Sequence, residues 1–220
     1  MEGKVSENNW RHERKFALTP IEFLEFEKQL MLSDLDLLYP DRRINNCYLD
    51  DVNHNSYQES TEGFSEKMKV RIRWYGNLFS TTTPRLEFKI KQNNSNRKEL
   101  FTLEKVNFHK SFNWSVYIHE VKKHLFNKHK FYLEEKFLPV LINSYKRSYY
   151  SNYRKSFRLT VDNEMRFMSP NNRLASWNGH TIEKYVVELK FNNSQVITDF
   201  PLLSNLGKFS KFNTGVLLNQ

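Results

Sequence analysis

Four stretches of this chain alternate residue by residue between charged and apolar side chains, and that rhythm restricts the folds open to it. In Val70 to Tyr75, Arg71 and Arg73 fall on one face, with Val70, Ile72 and Trp74 on the other. Leu86 to Lys91 sets Glu87, Lys89 and Lys91 against Leu86, Phe88 and Ile90. Phe157 to Asp162 groups Arg158, Thr160 and Asp162, and Val187 to Phe191 pairs Glu188 with Lys190. A period of two belongs to a strand with one buried face, not to a helix. The apolar faces need cover. The charged faces need water, or a partner of opposite sign.

Helices supply the cover. Thr19-Pro20-Ile21-Glu22 is a capping box with proline at the first helical position, which predicts a helix from about Pro20 to Leu32. Helical spacing of apolar residues recurs over Asn113 to Phe126 and Phe131 to Leu138, with Pro139 closing the second. Tyr39-Pro40-Asp41 reads as a turn before a strand over Ile44 to Leu49, and the polar stretch Asn53 to Gly63 has no clear period. Turn chemistry at Trp74-Tyr75-Gly76-Asn77, Ser169-Pro170-Asn171-Asn172 and Asn192-Asn193-Ser194 fits hairpins. The expectation is an α+β fold: an antiparallel β-barrel with a charged interior, flanked by helices. A polar leader over residues 1–9 precedes a single domain over residues 10–220.

The charged faces are biased. They carry Arg71, Arg73, Lys89, Lys91, Arg158 and Lys190 against Glu87, Asp162 and Glu188, within a chain whose 34 Lys and Arg outnumber 25 Asp and Glu for a net charge of +9. A wet sheet face is the plain alternative. Turned inward, such a face would bury cations at a cost that an entering anion must offset. Phosphates suit it, because the arginine fork donates two parallel hydrogen bonds to phosphate oxygens and lysine acts as a movable charge. The interspersed carboxylates suit Mg²⁺ or Mn²⁺, which take oxygen ligands.

Other chemistries lack their motifs: no glycine loop of the Walker type, no dinucleotide fingerprint, no HExxH helix. The seven histidines are scattered, and the lone Cys47 can form no internal disulfide. Tyr145-Lys146-Arg147 and Tyr149-Tyr150 could stack on bases, but packing of a core is preferred, so nucleic acid is not the expected partner. With no signal-like apolar run and no stretch long enough to span a membrane, a cytoplasmic protein is expected.

Taken in order, Glu13-Arg14-Lys15-Phe16, Asn45 to Asp50, Lys69-Val70-Arg71-Ile72-Arg73-Trp74-Tyr75-Gly76, Leu86-Glu87-Phe88-Lys89, Tyr145-Lys146-Arg147, Phe157-Arg158-Leu159, Val187-Glu188-Leu189-Lys190 and Ser204 to Gly215 form a series. It resembles the catalytic domain of the vacuolar transporter chaperone (VTC) polyphosphate polymerases, within the triphosphate tunnel metalloenzyme superfamily. The resemblance covers roughly residues 10 to 216, the arginine strand being its most specific part. It implies a tunnel in which Lys15, Arg71, Arg73, Lys89, Arg147 and Arg158 contact substrate phosphates. It also implies that Glu188 binds a catalytic Mn²⁺ or Mg²⁺, and that Lys208 and Lys211 share one face of a C-terminal helix at the mouth. Lys91 and Lys190 join as substrate-binding residues, while Glu87 and Asp162 either add to the metal site or balance charge. The implied reaction transfers the γ-phosphoryl group of ATP to a growing polyphosphate chain. A triphosphatase and a non-catalytic polyanion-binding module are the alternatives. The strand before Asp50 departs from the family's commoner Ser-Leu-Tyr-Phe-Asp in reading Asn-Cys-Tyr-Leu-Asp.

Overall fold

Every strand pairing in the computed structural model is antiparallel, as the alternation anticipates. The structure describes residues 4–5, 12–92, 95–125, 137–154, 157–170, 179–191 and 209–219. The chain runs β1 (Lys4–Val5), β2 (His12–Leu18), α1 (Pro20–Met31), β3 (Asp36–Asp50), α2 (Asn55–Glu62), β4 (Lys67–Tyr75), β5 (Thr81–Thr82), β6 (Arg85–Gln92), β7 (Ser95–Thr102) and β8 (Val106–Asn107). It continues through α3 (Trp114–Lys123), β9 (Leu138–Ser151), β10 (Phe157–Met168), β11 (His180–Ile182), β12 (Tyr185–Phe191) and α4 (Lys211–Leu218).

Among the described residues, ten strands form one sheet in the order β1-β7-β6-β4-β3-β9-β10-β12-β2, with β11 on β10 and a separate β5-β8 pair. The barrel expectation is corrected here: among the described residues no ladder joins β2 back to β1, so the sheet is not closed. It curls nonetheless, since Lys15 on edge strand β2 faces Lys89 on β6 across the interior. Right-handed strand twist, accumulated over so many strands, brings the two sides of an open sheet toward each other.

Two helices cover the outer faces as expected. Thr19 caps α1 through the reciprocal bonds with Glu22, and Phe26 and Leu30 bury against Phe157, Leu159 and Val161 of β10 and Val187 and Leu189 of β12. Asn113 caps α3, whose Trp114, Ile118 and Val121 pack on Val70, Ile72 and Trp74 of β4 and Leu86 and Phe88 of β6. The third predicted helix, Phe131 to Leu138, falls outside the described residues except at its end, where Leu138 and Pro139 open β9 instead.

Tyr39-Pro40-Asp41 is not a turn: β3 runs straight through it. The β3–β9 register slips between Leu37 and Tyr39 and again between Tyr39 and Arg42, and such an irregularity tolerates a residue without an N–H. Asn53 to Gly63 resolves into α2. Asp50 at the end of β3 organises it, accepting hydrogen bonds from the backbone N–H of Asp51, Ser56 and Tyr57 at 2.9, 3.0 and 3.0 Å. Gly63, at φ 80°, ends that helix in the left-handed conformation glycine adopts without strain.

Inside the curl the strand faces divide by chemistry. On β10, Arg158, Thr160 and Asp162 share a face, while Met165 and Phe167 farther along join Ile44, Leu141, Tyr145 and Val186 in an interior apolar cluster. The change of parity comes from an extra residue between Asn163 and Arg166, where Glu164 takes φ 49° and ion-pairs with Arg43. Helix α4 seats Phe212 and Val216 in that apolar cluster and closes the interior at one end. No described helix is long and apolar enough to cross a membrane.

Candidate functional site

The remaining interior is a cavity of about 530 Å³. Strand parity aims side chains into it: Glu13 and Lys15 from β2, Lys69, Arg71, Arg73 and Tyr75 from β4, Glu87 and Lys89 from β6, Tyr145, Arg147 and Tyr149 from β9, Arg158 and Thr160 from β10, and Glu188 and Lys190 from β12. Lys98 from β7, Tyr48 from β3 and Phe209 to Phe212 complete the wall together with Arg97. Among the described residues, eleven lysines and arginines face three carboxylates.

The carboxylates are already engaged. Glu87 bonds Arg71 at 2.6 Å, lies 3.3 Å from Lys98 and 3.7 Å from Arg73; burial alone would raise its carboxyl, but these cations hold it down to about 2. Asp162 sits fully buried behind the wall, bonded to Arg147 at 2.5 and 2.7 Å and to Lys211 at 2.5 Å. Glu188 lies 3.3 Å from Lys190, 3.4 Å from Lys15 and 3.9 Å from Arg147, and against the effect of burial they hold it ionised far below the carboxylate range. Cross-strand register explains the grouping, since Glu188 is opposite Lys15 and Lys190 is opposite Glu13 on neighbouring strands.

Several cations lack such a partner. Among the described residues, no carboxylate pairs with Lys69, Lys89 or Arg158. Lys69, Lys89 and Lys98 lie side by side in register on β4, β6 and β7, an arrangement of like charges that destabilises a sheet. Burial, with the neighbouring cations, pushes Lys69 down to about 7, Lys98 to about 8 and Lys89 below its usual range. The Thr160 hydroxyl, between Tyr149 and Glu188 in register and only 5% exposed as a residue, has no hydrogen-bond partner among the described residues.

The structure thus brings Lys15, Arg71, Arg73, Lys89, Arg147, Arg158, Glu188, Lys190, Glu87 and Lys211 to one cavity. Lys91 is a correction: it keeps the parity of Lys89 but lies one step farther along β6, opposite Lys67, and does not line the cavity. Asp162 does not reach the cavity as a metal ligand would; it balances the charge of Arg147 and Lys211. Lys208 lies outside the described residues. Lys211 is the first residue of α4, next to the capping Ser210, so a helical face shared with Lys208 goes unobserved. Lys69, Lys98, Tyr48, Thr160 and Tyr75 were not singled out from sequence as site residues, although Lys69 continues the parity of Arg71 and Arg73.

No group of three or more His, Cys, Asp or Glu gathers as a metal cluster among the described residues. Glu188 and Glu13, diagonal neighbours across β12 and β2, nevertheless open oxygen donors to the cavity. That set fits Mg²⁺ or Mn²⁺, which complete their shells with water and substrate phosphates. Glu87 and Asp162, locked against guanidinium groups, do not fit.

Two solved structures are similar in outline: a putative adenylate cyclase from Vibrio parahaemolyticus (7% identity, 94% of this chain and 97% of that chain, TM-score 0.48) and HpAC1 from Hippeastrum (14% identity, 91% and 92%, TM-score 0.45). The latter is described as a putative adenylyl cyclase with a dominant triphosphatase activity. No curated protein matches the sequence. The family model of the VTC domain, in contrast, matches residues 4–219, from the first strand to the end of α4 and through every element that lines the cavity; the chain belongs to the VTC domain family.

Proposed function

We propose that the cavity binds a linear chain of phosphates and that the protein transfers the γ-phosphoryl group of ATP to the end of a growing inorganic polyphosphate. The observation that carries this reading is the surplus of cations within the curl: after Glu87, Asp162, Glu188 and Glu13 have taken their partners, Lys69, Lys89 and Arg158 still face the cavity without a carboxylate among the described residues. Desolvated, uncompensated cations are costly, and a polyanion removes that cost. Membership of the VTC domain family supports the same substrate class.

Phosphoryl transfer asks for positioning and charge more than for covalent work by the protein. A terminal oxygen of the acceptor chain attacks the γ-phosphorus, and the bond from that phosphorus to the β–γ bridging oxygen breaks. Its electron pair leaves with ADP. Arg71 and Arg147, held rigid by Glu87 and Asp162, present the rest of their guanidinium edges to phosphate oxygens; Arg73, bonded to Asn46 at 2.8 Å, backs them. Lys15 and Lys89 neutralise charge on the transferred group, Arg158 clamps the donor, Lys190 and Lys211 attract the chain, and the Thr160 hydroxyl donates a hydrogen bond to a phosphate oxygen. Glu188, with Glu13, would hold Mn²⁺ or Mg²⁺, whose positive charge would offset the charge of the phosphates.

The test is to supply ATP and Mn²⁺ and to size the products. ADP together with a phosphate polymer is expected; orthophosphate without polymer would make the protein a triphosphatase, and tight tripolyphosphate binding without turnover would make it a binding module. Glu188→Gln should cut turnover by more than roughly tenfold while tripolyphosphate still binds without metal. Parental turnover in that variant would remove Glu188 from the metal site.

A further inference from the structure

Along β4 the side chains that face the cavity run Lys69, Arg71, Arg73, Tyr75, so a row of cations ends in a ring. At strand spacing Tyr75 stands roughly 7 Å beyond Arg73 and roughly 20 Å from Lys69. It lines the cavity yet is 41% exposed, as expected of a residue at the mouth. Tyr149 lines the same cavity, where Arg147, Tyr75 and Arg158 act electrostatically on its phenol, whose ionisation burial pushes up. Arg158 lies over the Tyr149 ring at 5.2 Å, and Tyr39, opposite Tyr149 in register, meets it edge-on at 5.8 Å. These contacts brace Tyr149 from several sides, whereas among the described residues no ring or cation packs on Tyr75.

We propose that Tyr75 is the stacking platform for the base of a nucleoside triphosphate whose phosphates lie along Arg73, Arg71 and Lys69; this rests on the phosphate-binding reading of the cavity. A nucleotide has the same order of parts, a planar aromatic end followed by a run of negative charge, and bases stack on tyrosine faces with little regard to sequence. The order also gives the cavity a direction. The donor's base remains at the tyrosine mouth, its γ-phosphate points toward Lys15, Lys89 and Glu188, and the polymer, which has no base, occupies the lysine end.

The experiment compares ATP and tripolyphosphate affinities, without metal, for the parent protein, Tyr75→Ala and Tyr75→Phe. Loss of one stacked base is expected to weaken ATP roughly tenfold in Tyr75→Ala. Tripolyphosphate should bind that variant as it binds the parent, and Tyr75→Phe should restore ATP affinity by keeping a ring. An unchanged ratio of ATP to tripolyphosphate affinity in Tyr75→Ala would overturn the platform and leave the phosphate site intact. A parent that bound ATP but not tripolyphosphate would overturn the phosphate-chain reading instead, while a loss confined to Tyr75→Ala would still uphold the stacked base. If the parent bound neither, both would fall.

Discussion

Lys69 carries a proton-linked consequence of its surroundings. Burial and the charges of Lys89, Lys67, Lys15 and Arg71 push it down to about 7, and its described polar neighbours, Ser210 at 3.5 Å and Asn213 at 3.4 Å, are uncharged. The folded value lies below the ordinary lysine value of about 10.4, so between about pH 7 and 10 the unfolded chain binds more protons. Stability from this group therefore rises with pH across that window when no ligand is added. A bound phosphate chain reverses the preference by favouring the charged amine. Tripolyphosphate binding at pH 8 should take up protons, and its affinity should fall as pH rises from 7 to 9. Calorimetry in buffers of different ionisation enthalpy would show this, and Lys69→Met should reduce the uptake by up to about one proton. Equal uptake in parent and Lys69→Met would place the linked proton elsewhere.

Among the elements, α4 is short, and its glycine looks like a weakness until its packing is seen. A Cβ on Gly215 would stand 2.5 Å from Leu141 Cδ2 and 2.5 Å from Phe167 Cδ1, so the helix can seat against β9 and β10 only where that residue has no side chain. Gly215→Ala would relieve about 1 kcal/mol of helix cost but overpack the interior by about 1–3 kcal/mol. Urea unfolding should show net destabilisation, together with weaker tripolyphosphate binding as Lys211 shifts; a more stable variant would mean that α4 is loosely seated. How far sequence reveals such elements depends on whether local pattern or long-range contact decides them. The capping box of α1 and the parity of Arg71 and Arg73 are local, and both were legible. Lys98 sits among Arg97 and Glu99, three charges in a row that assign no face, and only the ladder to Lys89 turns it inward. Lys91 obeyed the alternation but outran the cavity. Asp50 stood in the sequence only as the acidic end of a strand motif, while its work of organising α2 depends on N–H groups up to seven residues away.

For the whole molecule, interior charge makes ligand and stability inseparable. A ligand that binds only the folded state stabilises it by about 2.7 kcal/mol at a hundredfold excess over Kd, which in a chain of this size raises Tm by roughly 5–10 °C. Tripolyphosphate should give such a shift, salt should shrink it by screening, and sulfate at matched ionic strength should not reproduce it. Equal stabilisation by sulfate would mean that the cavity counts charge without recognising a chain of phosphates. The curl can present such a cavity because one of its long strands changes its facing midway. Had β10 kept a regular beat past Asp162, Glu164 and Arg166 would point inward while Met165 and Phe167 turned out, leaving α4 a charged bed on which its Phe212 could not rest. The single surplus residue at the bulge supplies the missing half-step. The boundary between wet and greasy halves is therefore a matter of residue count as well as residue identity. An insertion or deletion in this strand would move it farther than most substitutions could.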